Sequence, residues 1–293
     1  MDNAGTTDAG AGLTAVALGM TTDLSGGAPA CRANKPLLAV EGVVVRFGGI
    51  VALDSVSFTV ERGQVCGLIG PNGSGKTTMF NCISGIYRPQ QGRVVLGAQA
   101  LTGVSRHRIV DLGIGRTFQN VALYRSMTVW ENMLAGAHHL GRTMFLANAL
   151  RLPAVRREEA AARVRLERLL DLLELRQVAQ MPVASLPFGT QKQVEMARAL
   201  IGAPKLLLLD EPAAGLNHEE VTQLGGLIQR VRREFDCSIL LVEHHMSLVM
   251  SVSDKVVALE GGRKIAEGCP ADVRGDPAVI RAYLGEPVTH HAA

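Results

Sequence analysis

No stretch of this chain supplies the ~20 unbroken apolar residues that a membrane-spanning helix needs. The longest tempting run near the start, LTAVALGM, is too short, and it lacks the basic flank of a signal peptide. Charge of one sign is also scarce. The formal net charge is +3, too small to argue for a nucleic-acid partner. The five cysteines, Cys31, Cys66, Cys82, Cys237 and Cys269, are scattered without a CxxC pair. That pattern fits a reducing compartment and argues against a zinc site. What remains is a chain of 293 residues with 47% hydrophobic content, long enough for one large or two small domains and a substantial core. The expectation is a soluble cytoplasmic protein, or a peripheral subunit if it serves a membrane.

Residues 1–35 are rich in Gly, Ala and Thr and can bury little apolar surface, so a flexible tail is expected there. Met20 is an alternative start within it, and 286–293 reads as a short second tail. From Leu38 the pattern changes. LAVEGVVVRF and SVSFTV carry β-branched residues as strands do, and QVCGLIG is a short apolar strand running into a glycine-rich turn. LLLLD (206–210) and SILLVE (238–243) are apolar runs of the kind found in strands covered on both faces. Helical segments separate them, which predicts an α/β fold with parallel central strands. Between about 120 and 188 the strand signals vanish. RREEAAARVRLERLLDLLEL has the period of an amphipathic helix, with Leu166, Leu169, Leu170 and Leu173 on one face and Glu159 four residues before Arg163. The domain at 36–285 therefore reads as an α/β core with an inserted helical subdomain.

GPNGSGKT, Gly70 to Thr77, matches the G-x-x-x-x-G-K-[ST] phosphate loop in full. Gly70, Gly73 and Gly75 let backbone N–H groups turn toward a phosphate. Pro71, Asn72 and Ser74 complete the loop, and the helix opened by Lys76, Thr77 and Thr78 adds the positive end of its dipole. Lys76 can reach β- and γ-phosphates, and the Thr77 hydroxyl can ligate Mg²⁺. A glycine-rich turn with a chance lysine is the bland alternative, and the strand before and helix after make it poor. Asp210 ends the LLLLD strand, where it can hold Mg²⁺ through water, and Glu211 follows directly. A carboxylate beside the metal can polarise an attacking water, which suits hydrolysis of ATP better than transfer to a bound acceptor.

Together these residues resemble the ATP-binding cassette ATPases over about Leu38 to Gly285, a P-loop NTPase fold with a mixed sheet. Gln119 in RTFQN looks like the family's Q-loop glutamine, a further Mg²⁺ contact. His244 in LVEHHM looks like its switch histidine. AAGLN (213–217) resembles the D-loop, with Asn217 where many members carry aspartate. Phe47 sits where the family stacks an aromatic on adenine. SLPFGTQKQ (185–193) resembles the signature, with Pro187 in place of its serine, Phe188 in place of a glycine and Thr190 in place of its glutamine. The helical insertion, the form AAGLNHEE and the ending DPAVIRAYLGE look like ATPase subunits of branched-chain amino acid importers.

The resemblance implies an ATPase at the cytoplasmic face of the membrane. It implies integral permease subunits, a second cassette (identical or related) and, indirectly, a substrate-binding protein as partners. It implies Glu211 polarising water, His244 on the γ-phosphate, Lys76 supplying charge and Gln119 sensing Mg²⁺ and water. In the family each ATP lies between one chain's phosphate loop and the other chain's signature. Without the serine, the signature is expected to act through Phe188, Gly189, Thr190 and Gln191, with N–H groups of the last three opening the helix QKQVEMARAL. Thr190 is open to two roles, capping that helix or donating to phosphate. Import of other hydrophobic amino acids stays open beside the branched-chain ones; uptake of urea or amides, export of lipopolysaccharide, a soluble non-transport cassette protein, and a nucleotide-binding protein with a dead site are the alternatives.

Overall fold

The structure, a computed structural model, describes residues 36–117, 122–137 and 153–284, without the side chains of 153–159 and 284. The tails expected at 1–35 and 286–293, and Gln119, lie outside the described residues.

Two sheets carry the core domain. Strands β1 (Leu38–Phe47), β2 (Ile50–Val60), β4 (Gln91–Leu96) and β5 (Gln99–Ala100) form an antiparallel sheet in the order β2-β1-β4-β5. The second sheet has the order β10-β9-β3-β8-β7-β6. It contains β3 (Val65–Ile69), β6 (Ile114–Arg116), β7 (Leu206–Asp210), β8 (Ser238–Val242), β9 (Lys255–Glu260) and β10 (Arg263–Gly268). All its pairings are parallel except the β9–β10 hairpin, so the mixed sheet is as expected.

The central strands β3, β7 and β8 are buried along their whole length. Their alternating side chains divide between two cores. Val65, Ile69, Leu207, Leu209, Ile239 and Leu241 face a core shared with the helices that follow. Cys66, Leu68, Leu206, Leu208, Leu240 and Val242 face the antiparallel sheet and helix α1 (Lys76–Ile83). Period-2 alternation between two apolar layers is why these runs carry no polar residue until their ends. Cutting one such leucine to alanine costs roughly 2–5 kcal/mol.

After α2 (Arg106–Asp111) and β6, the chain enters the helical region. Helix α3 (Val129–Gly136) opens on a capping box, Thr128 accepting from Glu131 N–H and the Glu131 carboxylate accepting in return. Helix α4 (Pro153–Leu172) follows, and Leu166, Leu169, Leu170 and the nearby Leu173 are buried, as their spacing predicts. Helix α5 (Phe188–Leu200) leads back to β7. Over 122–137 and 153–185 the described residues hold no strand, only the isolated bridge between Thr128 and Pro182. Helices α6 (His218–Phe235), α7 (Met246–Val252), α8 (Pro270–Gly275) and α9 (Pro277–Leu284) complete the described residues. Among the described residues no helix is long and apolar enough to cross a membrane.

Candidate functional site

Parallel pairing of β3, β8 and β7 brings their C-terminal ends to one edge of the sheet. That edge carries the loop 70–75 after β3, Glu211 after β7 and the segment Glu243–His244 after β8. Ligands of open α/β sheets sit at such an edge.

The loop is built on glycines where no other residue fits. Gly70 has φ +150, and a Cβ there would lie 2.2 Å from Leu259 O and 2.5 Å from Ser74 Oγ. Gly75 has φ +102, and its Cβ would meet Ala52 O at 2.6 Å. The loop is thus wedged between β2 and β9, and Gly262 N–H in the β9–β10 turn donates to Ser74 O at 3.2 Å. Gly75 caps α1, so the N–H groups of its first turn face the loop. Lys76 is buried and folds back, its Nζ donating to Gly70 O at 2.7 Å and Pro71 O at 2.9 Å. Burial holds its ammonium below the ordinary lysine range, while the carboxylates of Glu211 and Asp210 act upward. The opposing charges place all three groups in one electrostatic neighbourhood. Thr77 is exposed at the helix start. Among the described residues, buried Ser74 Oγ has no hydrogen-bond partner. Such an unmet polar group, beside a lysine resting on backbone carbonyls, fits a site built for phosphate oxygens.

Asp210 is only 4% exposed. Its Oδ2 accepts from Arg116 at 2.9 Å, and the same guanidinium donates to Asn81 Oδ1 on α1 and to Oγ of Ser84, which caps the end of that helix. Arg116 thereby bolts the end of β7 to the phosphate-loop helix. Burial pushes the Asp210 carboxyl above its usual range, and Arg116 works against that rise. Glu211 stands at φ +46, in the left-handed region, with its N–H donating to Val242 O at 2.9 Å. A non-glycine residue there costs of order 1–3 kcal/mol and persists only where its surroundings impose it.

His244 is half exposed, its ring against that of His245 at 4.7 Å between centroids. Beneath it lies Glu243, fully buried. One Glu243 oxygen accepts from Ala213 N–H at 2.6 Å; the other accepts from the N–H groups of His244 and His245 at 3.1 and 3.3 Å. A single carboxylate therefore ties the turn after Glu211 to the histidine segment.

At the signature the structure corrects one expectation. Helix α5 starts at Phe188 with Pro187 at the capping position, three residues earlier than Gln191. Gln191 N–H is consumed inside the helix, donating to Pro187 O at 3.0 Å. The groups left outside the ladder are the N–H of Phe188, Gly189 and Thr190. Thr190 is the third residue of the helix, so it does not cap it. Phe188 is 46% exposed and its ring edge lies against Gly215, which an added Cβ would bring to 2.9 Å. A Cβ on Gly189 would meet Glu220 Oε1 at 3.0 Å. The signature turn thus packs on the segment 215–220, where Asn217 caps α6 in a capping box with Glu220.

Phe47 ends β1 on the surface, 46% exposed, with its ring edge-on to Tyr87 at 5.1 Å. It is not a core residue. Sequence reasoning missed Arg116 and Glu243. Only Glu243 had a local signal, a carboxylate closing an apolar strand directly before two histidines.

The ABC transporter family model matches residues 53–214, and that for the branched-chain amino acid ATP-binding cassette transporter matches residues 263–289. The high-affinity branched-chain amino acid transport ATP-binding protein BraF of Pseudomonas aeruginosa is 43% identical over 86% of this chain and 99% of its own length. The corresponding protein LivG of Escherichia coli strain K12 is 42% identical over the same shares. A solved ATP-binding cassette of an ABC transporter in its ADP conformation superposes with a TM-score of 0.73 at 30% identity, covering 86% of this chain and all of that one.

Proposed function

This chain belongs to the ATP-binding cassette transporter family, and from that premise we propose that it is the ATP-hydrolysing subunit of an importer for branched-chain amino acids. The observation that carries the reading is the convergence of Lys76, Asp210, Glu211 and His244 on one edge of a parallel sheet, in a chain alike over nearly the full length of such subunits.

The loop from Gly70 to Gly75 and the first turn of α1 bind the ATP phosphates through backbone N–H groups. Lys76 leaves its two carbonyl partners for the phosphates, an exchange of neutral acceptors for charged ones that favours binding. Phe47 offers its exposed face to the adenine. Thr77, Gln119 and Asp210 would hold Mg²⁺, which neutralises charge on the phosphate oxygens when bound. Glu211 polarises the attacking water and His244 contacts the γ-phosphate. Because Glu243 ties both segments together, the carboxylate after β7 and the histidine after β8 are held as one unit.

The signature donates through Phe188, Gly189 and Thr190 to the ATP of a second cassette. A helix N-terminus binds an anion without any serine, so Pro187 weakens this contact rather than removing it. One lost hydrogen bond to a charged group is worth roughly 1.5–3 kcal/mol. The chain works at the cytoplasmic face of the membrane, docked on integral permease subunits that receive substrate from a binding protein.

Assembly with its permeases tests the whole reading. The wild-type complex in liposomes is expected to hydrolyse ATP and accumulate leucine, isoleucine or valine when a binding protein is supplied. ATPase activity no higher than that of the Glu211→Gln complex would leave a binding protein with a dead site.

A further inference from the structure

The ending DPAVIRAYLGE has no part in the chemistry above, yet it reaches the phosphate loop. Asp276 Oδ1 accepts from Ala278 N–H at 2.7 Å, and Pro277 begins helix α9 with its φ already helical. Val279 and Tyr283, four residues apart, share one face of that helix. Val279 is buried in the core beside Val273 of α8, which sets the helix against the sheet. Tyr283 then carries its hydroxyl to the loop, where Oη accepts from Gly70 N–H at 2.8 Å.

Gly70 is the residue at which β3 becomes the phosphate loop. It is buried and held at φ +150, a conformation only glycine takes readily. The two polar groups of Gly70 are held by different parts of the chain. Its C=O accepts from Lys76 Nζ at 2.7 Å, and its N–H donates to Tyr283. The first tie is lost when Lys76 moves to phosphate. The second does not involve Lys76; it comes from Tyr283, 213 residues away along the chain.

We infer that Tyr283 is a positioning residue for the phosphate loop, its hydroxyl holding the Gly70 peptide in the orientation that ATP requires. The general cassette match ends at residue 214, whereas position 283 falls within the branched-chain match at 263–289. The C-terminal helix of this chain therefore sets nucleotide affinity in addition to closing the fold. The inference rests on the ATPase reading, and its test separates the two.

Tyr283→Phe deletes the hydroxyl and keeps the ring. The full chain carrying it is expected to bind ATP about tenfold more weakly, a change equivalent to ~1.4 kcal/mol. The KM for ATP should rise to match, with kcat at saturating ATP, measured on the permease complex, near wild type. The nucleotide-free protein should melt within the range set by Ile280→Ala, an exposed site on the same helix. A dissociation constant within about twofold of wild type overturns the inference. So does a loss of affinity matched by an equivalent loss of stability, which assigns Tyr283 to folding alone. Amide exchange in the nucleotide-free protein reads the tie directly. The phosphate-loop peptide should be protected in wild type and exchange faster in Tyr283→Phe. If wild type binds no ATP, the proposed function fails and this exchange decides the inference by itself. Free exchange at Gly70 in wild type removes it.

Discussion

The phosphate loop and the signature turn both present the first N–H groups of a helix, α1 in one case and α5 in the other. The loop is gripped by β2, by the β9–β10 turn, by Lys76 and by Tyr283. The turn packs on the segment 215–220 and leaves Pro187 and Phe188 exposed. On the proposed function, the first is a half-site for a triphosphate complete within one chain, and the second is a half-site that meets the ATP of another cassette. Nucleotide binding is then expected of the single chain and turnover of a pair. Substitutions in the two regions should separate along that line.

The largest separation is expected at Glu211. Glu211→Gln should abolish steady-state hydrolysis, keep ATP affinity and accumulate ATP-dependent dimers, seen by phosphate release and light scattering. Hydrolysis close to wild type would remove Glu211 from the mechanism. Gly189→Asp probes the other half-site. It sets a carboxylate among the free N–H groups and, at 3.0 Å from its Cβ, against Glu220 Oε1. Hydrolysis should be lost while the isolated chain binds ATP as before. Weakened binding by the isolated chain would mean that the two regions are not independent.

A smaller effect belongs to Phe47→Ala. Loss of a stacking face should weaken nucleotide binding by about 1–3 kcal/mol, with little discrimination between bases. Equal affinity with a lowered melting temperature would assign Phe47 to the fold. Deleting residues 1–35 should change nothing in ATP binding or hydrolysis, since both half-sites lie after residue 46. Loss of folding or of permease docking on that deletion would reveal an interaction element in this segment.

The finished half-site was also the legible one. GPNGSGKT is legible because its three glycines, all at positive φ, and its Lys-Thr pair fall at fixed spacing within eight residues. The apolar runs LLLLD and SILLVE declared buried strands because no polar side chain survives between two cores. The ties that complete the site were silent for the opposite reason. Arg116 meets Asp210 across 94 residues, and Glu243 meets Ala213 across 30. No local period or spacing encodes such pairs. The start of α5 was misplaced because Gly189 and Thr190 look like a turn, whereas Pro187, at φ −54 and ψ 150, already makes it. A glycine one residue inside the first helical position is tolerated there.

Glu211 sets two kinds of selection against each other. Its left-handed backbone is cheaper for glycine, which has no Cβ to meet the carbonyl oxygen, and for asparagine, whose short amide hydrogen-bonds locally. A library screened for survival of heating should therefore enrich glycine and asparagine at 211, and each of these discards the carboxylate. A library screened for growth on the transported substrate should restore glutamate. With the proposed role of Glu211, thermal selection erodes a residue that turnover needs, so a heat-hardened variant of this protein is best sequenced at position 211 before its activity is assumed.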